Sequence, residues 1–457
     1  MDNGEDVVAP PISGQGPHPW AWIVLATLFI VIIGSQLSDY LRPQSQGYSS
    51  AQAEITLKQY FTSKQFLTKA GEKASVGARK DIDRSLRTVY DEAKKHSSSP
   101  EAASVVLVTG HELGLPVDVE SLRTLSKSAK SRDRALGKIY SSDTLSMESA
   151  KALKKDLPET FFGKAAYSHA LERAGDKNAR ENLITSTDVA AYFGFIILAV
   201  LSVAGGVVVW IAFAVWKSTG GLTPAGSPVS DASRADKDRF ALRMAVFLVG
   251  LLLIPGTVAA LFRGSLVKGA AAFIGELVFI AGFLYFLALP VLGRPDPLKK
   301  LIGDVSKTPR LVFFGFCGFL ANLPVLIVLL LIMNFVSPGG RASHPIGEQI
   351  GSGVSPLTLL MFWLLAGILA PFMEELTFRG LLFPALTKFV SPIASVFISG
   401  FLFGAIHPQG PLLWLSLGAI GAMGAYLTHL TKSLVPAMVM HCIHNSAILA
   451  LSVVMLY

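Results

Sequence analysis

The feature that most limits this chain is a succession of apolar runs near bilayer-crossing length, with a handful of ionisable residues inside them. A helix needs about 20 mostly apolar residues to span the hydrocarbon core. A first run occupies Trp20–Leu37. After a long polar interval the runs return at Ala190–Trp216, Ala241–Phe262, Ala270–Leu292, Leu311–Val336, Pro356 to Lys388, Pro392–Ile406, Pro411–Leu427 and Leu434–Leu456. This pattern predicts about nine transmembrane helices, because backbone in lipid must satisfy its own hydrogen bonds and these Leu-, Ala- and Gly-rich runs do so as helices. The expected fold class is all-α: a polytopic helical membrane protein with an inserted extramembrane helical domain.

Composition supports this reading. The 457 residues are 51% hydrophobic and only 16% charged, against about a quarter charged in ordinary soluble domains, which excludes a wholly soluble enzyme. The net charge of +8 follows from membrane orientation and one polar segment, so nucleic acid is not an expected partner. Cys317 and Cys442 both lie in apolar runs and offer neither a disulfide framework nor a paired-cysteine metal site.

The expected organisation is a tail and anchor helix over 1–37, a helical domain over 38–188, a second membrane helix over 189–216, a flexible linker over 217–240 and a membrane core over 241–457. The 38–188 segment is polar and carries apolar residues at helical spacing, as at Leu57, Tyr60, Phe61, Phe66 and Leu67. Basic residues concentrate in alternate loops: Lys217, Arg234, Lys237, Arg239 and Arg243, then Arg294, Lys299, Lys300, Lys307 and Arg310, then Lys388 and Lys432. By the positive-inside rule, a multi-pass protein of the plasma (inner) membrane then has a cytoplasmic N-terminus and the 38–188 domain outside, where it is available to a protein partner. The acidic N-terminal tail, with Asp2, Glu5 and Asp6, runs against that orientation.

An ionisable side chain in a membrane run costs at least about 2.5 kcal/mol, so each one needs a partner, a cavity or a function. Glu276 is one. Glu374, Glu375 and Arg379 share a run, His407 ends the next, and His441, His444 and Asn445 sit in the last. Glu375 and Arg379 are four apart with the acid first, the favoured order for an ion pair on one helix face. Glu374 is rotated by about 100° and does not share that pair easily. Phe403 with His407, and His441 with Asn445, repeat the four-residue spacing. An antiparallel hairpin about Ser391 and Pro392 would set Glu374 and His407 at matching depth. By contrast, His111-Glu112 lacks the second histidine of a zinc-binding HExxH helix and reads as surface.

Glu374-Glu375-Leu376-Thr377-Phe378-Arg379, then Phe403-Gly404-Ala405-Ile406-His407, then His441-Cys442-Ile443-His444-Asn445 resemble the EExxxR, FxxxH and HxxxN motifs of the CAAX-protease and bacteriocin-processing family of intramembrane proteases. The resemblance runs from about Pro356 onward and does not reach the anchor or the 38–188 domain. It implies hydrolysis of a peptide bond in a membrane protein or lipidated peptide substrate at the bilayer. Glu374 would activate water, His407 would hold it or move its proton, and His441 and Asn445 would stabilise the oxyanion, with Glu375, Arg379 and Phe403 supporting. A carboxylate, imidazoles and an amide suit those tasks. Glu374, His407 and His441 also form a zinc-type donor set, in which case Glu375 becomes the base, so the cofactor is either zinc or none. Because His444 is one turn from His441, it is an alternative site residue. Two other classes compete: a proton-coupled transporter using Glu276, Glu374 and His407, which lacks the expected internal repeat, and a catalytically silent membrane scaffold, which has no need of a carboxylate outside the Glu375–Arg379 pair.

Overall fold

In a computed structural model, the described residues are 19–41, 50–70, 76–141, 144–180, 183–219, 307–336, 356–387, 390–407 and 410–456. Among them the chain is helical, with no strand. The helices are α1 (Pro19–Leu41), α2 (Ser50–Ala70), α3 (Val76–Lys94), α4 (Pro100–Glu112), α5 (Val119–Ser126), α6 (Ser131–Tyr140), α7 (Met147–Leu153), α8 (Phe161–Arg173), α9 (Ser186–Ser218), α10 (Thr308–Val336), α11 (residues 356–386), α12 (Pro392–Ala405), α13 (Pro411–Thr431) and α14 (Val435–Leu456).

The protein is an integral membrane protein: five described helical segments, Ser186–Ser218, Thr308–Met333, Pro356–Gly380, Leu413–Thr431 and Val435–Val454, are long and apolar enough to cross a bilayer. Two shorter apolar stretches, Trp22–Ser35 and Pro392–Ala405, accompany them. The expected spans at 241–262 and 270–292, Glu276 and most of the 217–240 linker lie outside the described residues. One expected span differs in kind. At 14 residues, α12 rises only about 21 Å, short of the roughly 30 Å hydrocarbon core. Its last turn closes on Ile406, directly before His407.

Two compact units divide the chain: residues 1–40, 216–318 and 372–440 form the first, and 41–215, 319–371 and 441–457 the second. In the second, α2 to α8 wrap a single apolar core that includes Leu57, Leu86, Val106, Leu125, Leu136, Ile139, Phe161 and Ala166. Local signals set the helix starts. Ser99, Asp118 and Ser146 each accept a backbone N–H of the first turn of α4, α5 and α7. α8 is capped from outside its own sequence, since the buried Glu54 of α2 accepts the Phe162 N–H at 2.8 Å. In the same unit α9 lies against α10. A Cβ on Gly206 would run into the Leu320 carbonyl, and Trp210 Nε1 donates to the Ala321 carbonyl at 2.7 Å.

In the first unit, α12 and α13 pack through small residues. Ser391 caps α12 and Pro392 fills its first position. Gly410, at φ 84°, turns the chain into Pro411 at the start of α13. Gly400 and Gly404 face Gly418, Ala422 and the Trp414 backbone so closely that a Cβ on Gly404 would strike the Trp414 carbonyl. Close approach of backbones is how membrane helices gain packing without a hydrophobic drive between them. Gly404→Val is expected to force α12 from α13 and lower stability by about 1–3 kcal/mol or more; thermal unfolding in detergent reads the loss, and an unchanged transition would deny the close contact.

α11 is not a uniform α-helix. It widens into π turns at Trp363–Leu369 and Leu376–Leu382. Each ends two residues before a proline, Pro371 and Pro384. The Ala370 N–H reaches back to Leu365 and the Phe383 N–H to Phe378, five residues each. Proline has no N–H and crowds the carbonyl four residues earlier; a widened turn immediately before it moves that carbonyl aside. The motif Glu374-Glu375 therefore lies between two widened turns, and Arg379 lies within the second.

Candidate active site

Glu375 and Arg379 are completely buried on α11, and Arg379 Nη1 donates to Glu375 Oε1 at 3.1 Å. This is the ion pair their spacing predicts. Arg379 does more than neutralise an acid: its Nη2 donates to the Gly421 carbonyl of α13 at 2.6 Å, and its guanidinium lies 4.6 Å from the Phe403 ring of α12. One side chain thus ties three helices through a charge, a carbonyl and an aromatic face. The sequence motif indicates the acid partner but not the other two. Gly421 and Gly424 make the room, because a Cβ on either would stand 3.1 Å from the guanidinium, and on Gly424 also 3.1 Å from Glu375 Oε2.

Phe403 passes the arrangement on. Its ring meets Phe378 edge-on at 5.3 Å and His407 at 4.8 Å. The Phe403 backbone carbonyl contacts His407 Nδ1 at 2.6 Å. A carbonyl only accepts, so Nδ1 carries the proton. In the neutral ring, Nε2 then holds the lone pair. That nitrogen faces Glu374, with Oε1 at 3.9 Å, the level pairing expected from the hairpin. The distance is too long for a direct hydrogen bond and suits one water touching both groups. Both side chains keep partial exposure, 27% for Glu374 and 20% for His407, unlike the sealed Glu375–Arg379 pair beside them.

His441 and Asn445 belong to the second unit. His441 is buried and His444 half-buried on α14. Asn445 Nδ2 donates to the Ala366 carbonyl at 2.8 Å. Ala366 sits in the first π turn, where the Ala370 N–H goes to Leu365 and residue 371 is proline. Neither usual helical donor is available to that carbonyl, and the asparagine supplies one. Trp363 Nε1 donates to Ser446 at 3.0 Å alongside it. The HxxxN spacing read from sequence gives no sign of this backbone contact; Pro371 was the signal that could have revealed it.

No curated protein and no solved structure shows significant similarity to the chain. Residues 356–447, however, match the family model for type II CAAX prenyl endopeptidase Rce1-like proteins, and they contain Glu374, Glu375, Arg379, His407, His441 and Asn445. Over those residues the chain is therefore similar to the type II CAAX prenyl endopeptidases of the Rce1-like family.

Proposed function

We propose that the protein hydrolyses a peptide bond of a membrane-associated or prenylated protein with water activated by Glu374. The observation that carries this reading is the approach of Glu374 Oε1 to His407 Nε2 at 3.9 Å, with Nδ1 already committed to the Phe403 carbonyl. A water in that gap gives one proton to Glu374 and a second hydrogen bond to Nε2, leaving its oxygen lone pair for the scissile carbonyl carbon. The new C–O bond creates a tetrahedral oxyanion. The donors to it that the motif resemblance implies are His441 and Asn445, an imidazole and an amide with N–H groups suited to that task. Glu374 then delivers its proton to the amide nitrogen as the C–N bond breaks, which regenerates the carboxylate. Glu375 positions rather than reacts. Its carboxylate is sealed and held by Arg379, which argues against Glu375 as the base.

Zinc is the second reading of the same residues, favoured by the tautomer of His407. An imidazole whose Nδ1–H is held by a backbone carbonyl presents Nε2 as a metal ligand just as well as a base. Glu374 and His407 would hold the ion, with His441 as the third ligand that the motif resemblance implies, and the ion would supply Lewis acidity toward the carbonyl.

Membranes containing wild-type or Glu374→Gln protein, compared by quantitative proteomics, are expected to differ by at least one substrate processed only in the wild type. Identical processing in both would overturn the reading. Adding a chelator separates the two versions: activity that survives chelation but not Glu374→Gln is metal-free, and activity lost with chelator and restored by zinc is not.

A further inference from the structure

The α2–α8 core holds a second group of ligand-type side chains, independent of the membrane chemistry. His111 comes from the last turn of α4, His169 and Glu172 from the last two turns of α8, and Tyr140 from the end of α6. One nitrogen of each histidine and one Glu172 oxygen all lie within 4.8 Å of one another. The two imidazole centroids are 3.8 Å apart, and the Tyr140 ring stacks on His169 at 5.1 Å. His111-Glu112, half of a zinc-binding helix motif in the sequence, therefore does have a second histidine nearby. It arrives from another helix, 58 residues on by the numbering, and the expected surface position is a half-buried one.

The cluster is incompletely satisfied as a purely protein network. His169 is 8% exposed, and its Nδ1, 3.5 Å from Glu172 Oε2, has no hydrogen-bond partner among the described residues. The fully buried Tyr140 hydroxyl has none either. Buried polar atoms left this way are uncommon and call for an ion or a water. The surrounding charges balance, with Arg180 and Arg173 set against Glu112 and Glu172. Arg180 holds both oxygens of Glu112. Its Nε stands 3.1 Å from Glu172 Oε2 yet makes no hydrogen bond to it. Arg173, the other nearby cation, donates to the Ile139 carbonyl. The Glu172 side chain is 43% exposed, which gives an ion a way in.

We propose that His111, His169 and Glu172 bind one divalent transition-metal ion, zinc by donor type, with the fourth position taken by water or the Tyr140 hydroxyl. Two imidazoles and a carboxylate are a zinc donor set with one open position. Bonds of about 2.0–2.1 Å bring tetrahedral ligand atoms to about 3.4 Å from one another, so the set closes by rotation of the partly exposed Glu172 chain and a tilt of the His111 ring. The ion would tie the C-terminal turns of α4 and α8 and satisfy His169.

The test uses the full chain, without a histidine tag, in detergent and in the Glu374→Gln/His407→Ala background, so that the membrane donors do not contribute. After dialysis against zinc chloride, elemental analysis is expected to find one zinc per chain, and cobalt in its place is expected to give the visible absorption of a tetrahedral N/O site. His111→Gln and Glu172→Ala should each weaken zinc binding at least about tenfold and remove the zinc-induced rise in unfolding temperature that the parent shows. Glu172 is exposed enough that its truncation tests the ligand without threatening the core. No zinc on the parent protein, or undiminished zinc on both variants, would mean an Arg180-centred ion-pair network and would overturn the proposal.

Discussion

Replacing Glu374 by Gln is expected to slow peptide-bond cleavage between about 100-fold and 10,000-fold, the span a positioned general base contributes, while leaving the protein folded and inserted. Gln keeps the size and one acceptor of Glu but takes no proton from water. The side chain is 27% exposed, so the exchange opens no cavity and breaks no sealed pair. His407→Ala should cost a comparable amount, because in the proposed mechanism Nε2, 3.9 Å from Glu374 Oε1, fixes the same water from the other side. The two losses should not add: once either partner of a shared water is gone, removing the other has little left to remove. A double variant as active as either single one supports a common water. Losses that multiply would assign the two residues to separate steps, and full activity in Glu374→Gln would remove Glu374 from the chemistry.

Arg379→Met is expected to give the largest stability loss of any single substitution at the site, about 3–5 kcal/mol. That is the usual effect of stripping one member from a buried pair and leaving an uncompensated charge. Glu375 and Arg379 are both 0% exposed. The methionine would also forfeit the Gly421 carbonyl at 2.6 Å and the Phe403 face. Arg379→Lys would keep the charge but lose the planar fork that reaches Glu375 and Gly421 together, so it should recover only part of the loss. Removing both charges, as Glu375→Leu/Arg379→Met, should be less destabilising than Arg379→Met alone. Denaturant unfolding in micelles measures the series. A wild-type midpoint for Arg379→Met would show that the three-helix tie contributes nothing to stability.

The long apolar helices were legible in the sequence because their signal is one-dimensional: length and composition decide whether a helix can lie in lipid. α9, α10 and α14 match their apolar runs to within a few residues. α12 matches its run to within one residue, and both are short: the run Pro392–Ile406 and the helix Pro392–Ala405 fall below the roughly 20 residues that span a bilayer. The prolines of α11 were visible and their effect was not, because a proline can kink, end or widen a helix, and neighbouring helices decide which.

The site divides in the same way. Four-residue spacing alone pairs Glu375 with Arg379, since both ends lie on one helix and helical geometry leaves little choice. Hairpin symmetry places Glu374 level with His407. Spacing is blind to contacts made across helices: the Gly421 carbonyl under Arg379, the Ala366 carbonyl on Asn445, and His169 beside His111 come from segments whose distance in sequence carries no information about contact in space. By itself the sequence determined which few charges enter the membrane and which of them share a helix face, because the cost of burying a charge and the pitch of a helix are local properties. Only the tertiary structure decided which backbone carbonyls those side chains hold, which nitrogen of His407 is turned to Glu374, and which histidine completes the His111 cluster, because each depends on how separate helices pack.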